Sequence, residues 1–329
     1  MSAAVRATAP GKLFVSGEYA VLDGAPAIGF ALAERVAAEL VPASAWVLHA
    51  PGVATQPIDF DVAGDGTVSA PGRPPALRIL TAALDSLRAS GHALPGPQAV
   101  TLDTTALYRD DRKLGLGSSA ALSAALAGAL AALVDAAPEA LAADIHGRLQ
   151  PRGSGADLAV VLNGGVVRCQ RRAGAVEAVP CAWPEGLGCR GIDTGRAAST
   201  PAMLARLDAW RAGSADVFAA LAPAAEAAAA AWGSGDAAAS VQALDAFSAE
   251  LSVFDAMGRI GIFAGGHAPL RHLATRHRVA YKPSGAGGGD IGLAFAEDAA
   301  ALDAFVAAAR RGGWYEFVVE PAATGLSVT

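Results

Sequence analysis

Three glycine-containing segments constrain this chain more than anything else in it, and each carries one of its only three lysines. Pro10-Gly11-Lys12-Leu13-Phe14-Val15-Ser16-Gly17-Glu18-Tyr19 comes first. Lys113-Leu114-Gly115-Leu116-Gly117-Ser118-Ser119-Ala120-Ala121 follows, then Lys282-Pro283-Ser284-Gly285-Ala286-Gly287-Gly288-Gly289-Asp290. The other 22 basic residues are arginine. Lysine is a compact point charge on a flexible stem, and arginine does not replace it where one oxygen must be met by one ammonium. Glycine beside a cation marks backbone that must approach an anion closely. A fold for this chain must therefore bring three distant segments to one anionic ligand.

The 329 residues suffice for two domains. Hydrophobic residues make up 53%, inflated by alanine, yet no uninterrupted apolar run reaches the ~18 residues of a membrane span. Met1-Ser2-Ala3-Ala4-Val5-Arg6 lacks the charged and apolar regions of a secretory leader. Cys169, Cys181 and Cys189 are odd in number and too widely spaced for a zinc knuckle, as expected for packing thiols in a reducing cytoplasm. A net charge of −6 argues against nucleic acid as a partner. Neither membrane nor nucleic acid is expected to be engaged. An acidic chain can still bind a small anion if its cations converge in one cleft.

The first sixty residues read as β-rich, with apolar runs at Lys12–Val21 and Ala27–Leu40. The spacing of Leu77, Leu80, Leu84 and Leu87 predicts a helix over Ala76–Ser90, and Ala99–Asp103 a strand. Alanine and leucine from Ser118 to Asp135 predict a helix buried on most sides. Another helix is expected at Glu139–Leu149, then a loop at Gly153–Asp157, a helix from Asp157, and two strands reaching Val179. Pro180–Gly188 reads as a linker, dividing the chain into 1–182 and 183–329. Beyond it come a strand at Gly188–Asp193, alanine-rich helices from Pro201 to Ala264, and a strand at Val279–Lys282. The glycine loop, a strand at Ile291–Ala296, a helix at Asp298–Arg311 and a strand at Trp314–Glu320 complete an α+β end.

In Gly115-Leu116-Gly117-Ser118-Ser119-Ala120, a glycine turn runs directly into a long helix. Free N–H groups and the positive end of a helix dipole then coincide. Ser118 and Ser119 can cap that helix or offer hydroxyls to phosphate or Mg²⁺. The segment is not a Walker A loop, because its lysine precedes the glycines. The third segment fails as a dinucleotide fingerprint by spacing and position, and reads as an anion-binding loop after a strand. The six histidines form no His-Glu-x-x-His pattern, so a zinc enzyme is not expected.

Taken in order, the three segments resemble the signature motifs of the GHMP kinase superfamily, from about Pro10 to Ala294. Residues 10–23, Lys113, Gly153-Ser154-Gly155-Ala156-Asp157 and 282–292 are similar to the phosphomevalonate kinase branch, with Thr194-Gly195-Arg196 and Ser199-Thr200 as a further likeness. Mevalonate kinases usually carry His where this chain has Tyr19. They also carry a Mg²⁺-binding Glu eleven residues before the catalytic Asp, where this chain has His146. The resemblance implies a two-domain α+β fold, its N-terminal unit like ribosomal S5 domain 2 and its C-terminal unit a ferredoxin-like α/β sandwich. It implies ATP and Mg²⁺ as cofactors, phosphoryl transfer to 5-phosphomevalonate, and a cytoplasmic monomer or homodimer. Mevalonate kinase and a non-catalytic metabolite sensor are the alternatives.

By the same resemblance, Lys12 and Asp157 are catalytic. Lys113, Gly115, Leu116, Gly117, Ser118, Ser119 and Ala120 would bind ATP, with Ser119 on Mg²⁺. Lys12, Ser16, Glu18, Tyr19, Ser154, Arg196, Ser199, Thr200, Lys282, Ser284, Gly285, Ala286 and Gly287 would face the acceptor. If Lys282 instead only fixes its strand, Lys282→Arg should be nearly silent.

Overall fold

The computed structural model describes residues 4–214 and 216–329. Met1–Ala3, on which the reading of the leader partly rests, lie outside the described residues, as does Ala215 within the alanine-rich helical stretch.

The strands before residue 182 are β1 (Val5–Ser16), β2 (Ala27–Pro42), β3 (Trp46–His49), β4 (Ile58–Val62), β5 (Val68–Ser69), β6 (Gln98–Asp103), the short pair β7 (Tyr108–Arg109) and β8 (Arg112–Lys113), β9 (Val166–Arg172) and β10 (Ala175–Cys181). Four helices accompany them: α1 (Arg78–Ala89), α2 (Ser118–Val134), α3 (Pro138–Leu149) and α4 (Ala156–Asn163). One sheet runs β10-β9-β2-β6-β3-β4-β5. The sixteen-residue β2 organises it: Ala27–Phe30 pair with β9, Ala37–Pro42 with β6, and β1 lies along its other edge. The apolar run at Lys12–Val21 is therefore strand only to Ser16, since the chain turns at Gly17 into a 3₁₀ turn over Ala20–Asp23. Helix α2 packs on β1 and β2 and buries most of its length, as its composition requires.

The second half contains β11 (Gly188–Asp193), α5 (Thr200–Gly213), α6 (Leu221–Ser234), α7 (Ala237–Gly258), α8 (His267–Arg276), β12 (Ala280–Pro283), β13 (Ile291–Ala296), α9 (Ala299–Arg311), β14 (Tyr315–Phe317) and β15 (Ser327–Val328). The antiparallel sheet β12-β13-β11-β14 carries α8 and α9 against a core of Leu270, Tyr281, Leu302 and Phe305. Helix α8 was not anticipated, because its Pro269, two histidines and two arginines weaken the apolar period. The last strand is shorter than Trp314–Glu320, ending at Phe317. The chain then crosses back, pairing β15 with β1 and laying Leu326 and Val328 over Gly128 of α2.

One hydrophobic core joins both halves. Trp183 meets Phe30 edge-on at 5.5 Å and Trp232 of α6 at 5.0 Å. Such pairs contribute about 0.5–1.5 kcal/mol each beyond the area they bury.

Candidate active site

Lys12 owes its position to a break in the β1–β2 ladder. Pairing steps from Pro10↔Arg35 to Lys12↔Ala31, so Leu32–Glu34 of β2 bulge opposite Gly11 alone, and Lys12 N–H turns instead to Leu116 O at 2.8 Å. The stem crosses the second glycine segment: a methyl on Gly117 would lie 2.8 Å from Lys12 Cε. The ammonium reaches the third, where a methyl on Gly285 would lie 3.7 Å from Nζ. Nζ sits 4.7 Å from the centre of the Phe14 ring and makes no hydrogen bond among the described residues. Burial pushes its pKa below the ordinary lysine value, while Asp157, Glu18 and Asp290 oppose that shift.

Two rows of unused backbone donors flank this ammonium. In the first, the N–H groups of Gly115 to Ala120 meet no protein acceptor among the described residues. They include the free amides at the start of α2, where the helix dipole is positive. In the second, the amides of Ala286, Gly287 and Gly289 are likewise unpaired. Gly117 is required twice over, by its φ of +81° and by the Lys12 stem on its Cα. Gly117→Ala is expected to raise the KM for ATP about tenfold or more, the equivalent of roughly 1.4 kcal/mol of lost positioning. Steady-state titration of ATP checks this, and an unchanged KM would remove the loop from the nucleotide site.

Asp157 opens α4 after Gly155, whose φ of +81° makes the turn. Its carboxylate Oδ1 lies 3.2 Å from His146 Nε2 and the side chain is one-fifth exposed. Burial alone would raise its pKa; the His146 hydrogen bond, the charge on His146 and then Lys12 outweigh that and hold it below the usual aspartate value. The carboxylate is therefore ionised at neutral pH, and Nε2 carries the shared proton. His146, the departure from the mevalonate kinase pattern, faces Asp157 directly.

Several side chains expected at the acceptor are committed elsewhere. Glu18 and Lys282 form an ion pair in which both side chains are almost fully buried, and Lys282 Nζ also donates to Phe14 O at 3.2 Å. Ser284 Oγ accepts from Phe14 N at 2.8 Å and donates to Phe14 O at 3.1 Å. Tyr19, at a φ of 63°, donates its hydroxyl to Ala286 O at 2.6 Å. These four residues brace the first segment against the third; Glu18 Oε2 is left buried without a partner. Ser16 is fully buried with an unpartnered hydroxyl. Ser154 accepts from Ala156 N at 3.2 Å, adjoining Asp157. Arg196, Ser199 and Thr200 are exposed, with Ser199 preceding α5, while Arg196 O receives Asp290 N–H at 2.7 Å. Arg152, just before Gly153, pairs with Asp208 at the surface.

Three features escaped the sequence reading. Asp193 is fully buried and is clamped by Arg109, at 2.9 Å, and by Arg112. This latches the β7–β8 pair, and with it exposed Lys113, to the strand leading into Thr194-Gly195-Arg196. Asp290, at a φ of 58°, lays its carboxylate on Gly115, where a methyl would lie 2.2 Å from Oδ2. Lys113, Arg112 and Lys12 surround it electrostatically. His267, on the unanticipated α8, reaches the third glycine loop from beneath.

No protein-family model matches the chain. A curated phosphomevalonate kinase from Streptomyces sp. (strain CL190) is 31% identical over 341 aligned residues, covering 90% of each chain. This chain belongs to the phosphomevalonate kinase family. Among solved structures, a Lin0012 protein from Listeria innocua matches with a TM-score of 0.85, at 20% identity over 99% of both chains. Phosphomevalonate kinase from Streptococcus pneumoniae, in complex with phosphomevalonate and AMPPNP, matches with a TM-score of 0.71. Its identity is 19%, over 96% of this chain and 99% of that one. Galactokinase from Lactococcus lactis, complexed with galactose, gives 0.74 at 14% identity, over 98% and 95%. These likenesses show an α+β, GHMP kinase-like fold. No helix among the described residues is long and apolar enough to cross a membrane.

Proposed function

We propose that this chain transfers the γ-phosphoryl group of ATP to the phosphate of 5-phosphomevalonate, giving 5-diphosphomevalonate and ADP. The observation that carries the reading is Lys12, lying between two rows of free amides. Joining two polyanions makes charge placement the main task, and positioned donors perform most of the catalysis in phosphoryl transfer.

In this reading the triphosphate lies along Gly115–Ala120 at the start of α2, with Lys113 at its edge. The acceptor phosphate meets the amides of Ala286, Gly287 and Gly289, with Arg196 beside them. Its second pKa is near 6, so at pH 7 it is mostly dianionic and attacks without a strong base. A P–O bond forms between acceptor oxygen and γ-phosphorus as the β–γ bridge breaks, its electron pair leaving with ADP. Lys12 offsets the charge on the transferring group. Asp157, kept ionised by His146, orients Lys12 and accepts any residual proton.

The hydroxyl of Ser119 makes no hydrogen bond among the described residues, and Asp290 Oδ2 receives none. Both are hard oxygen donors suited to Mg²⁺. No group of three or more His, Cys, Asp and Glu among the described residues could hold a metal ion, which suits a cation arriving on the nucleotide. Ser119 and Asp290 would hold it there. Held by Ser119 and Asp290, Mg²⁺ would supply charge neutralisation for the phosphoryl transfer.

The same reading divides the chain into units 1–182 and 183–329, the first like ribosomal S5 domain 2 and the second ferredoxin-like. The four-stranded sheet, built entirely from residues after 183, supports that division, while β15 returns to the nine-stranded sheet of the first unit. It also places the enzyme in the cytoplasm, as a monomer or homodimer engaging neither nucleic acid nor membrane.

Offering mevalonate, phosphomevalonate, homoserine and galactose separately with ATP should release ADP only with phosphomevalonate. Turnover with mevalonate alone would sink the reading, and turnover with none would favour a sensor.

A further inference from the structure

The third glycine loop has few side chains with which to hold its shape, and Gly285, Gly287, Gly288 and Gly289 all have positive φ. Its conformation is set by what its peptide groups meet. Gly288 N–H donates to Ile262 O at 2.7 Å, and Asp255 fixes that support by accepting from the amides of Gly261, Ile262 and Phe263. Asp290 N–H donates to Arg196 O at 2.7 Å. On the other side of the same peptide, Gly289 O lies 2.7 Å from His267 Nε2. A carbonyl oxygen only accepts, so Nε2 carries the hydrogen. Nδ1 is then the acceptor, and it takes the Tyr281 hydroxyl proton at 2.8 Å. His267 is 0% exposed and Tyr281 is 1% exposed.

Burying an imidazole and a phenol hydroxyl costs free energy unless each polar atom is satisfied. Here all of them are, in a chain that ends on one carbonyl of the loop. Neither residue touches the space between the two amide rows. The peptide they fix lies between Gly289, with a φ of +153°, and Asp290, in the left-handed region. Rotating that peptide would turn its carbonyl outward, toward an incoming anion, and would swing the Asp290 carboxylate off Gly115.

We infer that His267, backed by Tyr281, is a positioning residue that locks the Gly289–Asp290 peptide carbonyl-inward. The lock keeps the loop's free amides arranged for a phosphate-bearing acceptor. The identity of that acceptor rests on the function proposed above; the lock itself does not.

The test uses the full chain with His267→Phe, His267→Gln and Tyr281→Phe. Hydrogen–deuterium exchange of the segment spanning residues 282–292 needs no ligand. His267→Phe should exchange about tenfold faster at Gly288 and Asp290, with distant helices unchanged. His267→Gln, whose side-chain amide can donate to Gly289 O, should restore most of the protection. Calorimetric titration should show the phosphomevalonate Kd rising about tenfold in His267→Phe, consistent with one lost buried hydrogen bond, while the ATP Kd stays nearly constant. Tyr281→Phe should fall between wild type and His267→Phe. Unaltered exchange in a folded His267→Phe protein overturns the lock. If His267→Phe does not fold, wild-type-like exchange in Tyr281→Phe together with no protection in folded His267→Gln overturns it instead. A wild-type protein that does not bind phosphomevalonate overturns the acceptor assignment and leaves the exchange result to decide the lock.

Discussion

Lys12→Arg should lower kcat for phosphomevalonate about 10²- to 10³-fold, the loss typical when one preorganised transition-state donor is misplaced. The argument is steric before it is electrostatic, because charge is conserved in the change. The Lys12 stem lies so close to Gly117 that even a methyl there would sit 2.8 Å from Cε. The ammonium lies over the Phe14 ring at 4.7 Å. A planar guanidinium is wider, presents its donors in a fixed fork, and cannot place one N–H where the ammonium stood. The KM for ATP should change little, because the Gly115–Ala120 amides are backbone groups untouched by the substitution. Steady-state kinetics with both substrates saturating checks this, with thermal melts to confirm folding. A kcat within a few-fold of wild type would remove Lys12 from the transferring phosphoryl.

The elements visible in the sequence were those with local causes. Helix α2 follows from its uninterrupted Ala and Leu, and the turn before it from glycines whose φ of +75° and +81° other residues resist. The helix start at Asp157 was legible from the Gly/Ser loop before it, whereas the role proposed for that residue came from the motif resemblance. What the sequence concealed lies in bonds between distant segments. Phe14 meets Ser284, Tyr19 meets Ala286 and Arg112 meets Asp193, and no periodicity reports such pairings. His267 was passed over because it was judged only as a zinc ligand. Asp290 was quoted as the end of a motif, but its contact with Gly115 exists only in three dimensions. For Lys282 the composition itself misled. A rare lysine beside glycines suggests an anion, yet burial directs this one to Glu18, whose carboxylate is part of the protein. The outward-facing work in that loop falls to backbone amides, which carry no residue-type signal.

That reassignment changes the expected behaviour of Lys282 from kinetic to thermodynamic. Lys282 is 1% exposed, so the larger guanidinium of Lys282→Arg has no room, and the change should not be silent. The sharper test is Glu18→Ala. Burial pushes the Glu18 carboxyl up and the Lys282 ammonium down, each opposed by its partner's charge. Removing Glu18 strips away that opposition and leaves an ammonium in the core with only Phe14 O beside it. Such one-sided removal costs about 3–5 kcal/mol, and a chain of this size should lose roughly 5–10 °C in Tm. The double change Glu18→Gln with Lys282→Met, which leaves no charge behind, should recover much of that loss. The contrast separates a brace from a substrate contact. A brace gives a low Tm in the single variant and partial rescue in the double, whereas a substrate contact gives a raised acceptor KM at unchanged Tm. Because the pair ties the turn after β1 to β12, and Lys282 also donates to Phe14 O within β1, two residues from Lys12, the single variant should also lose activity at temperatures below its melt.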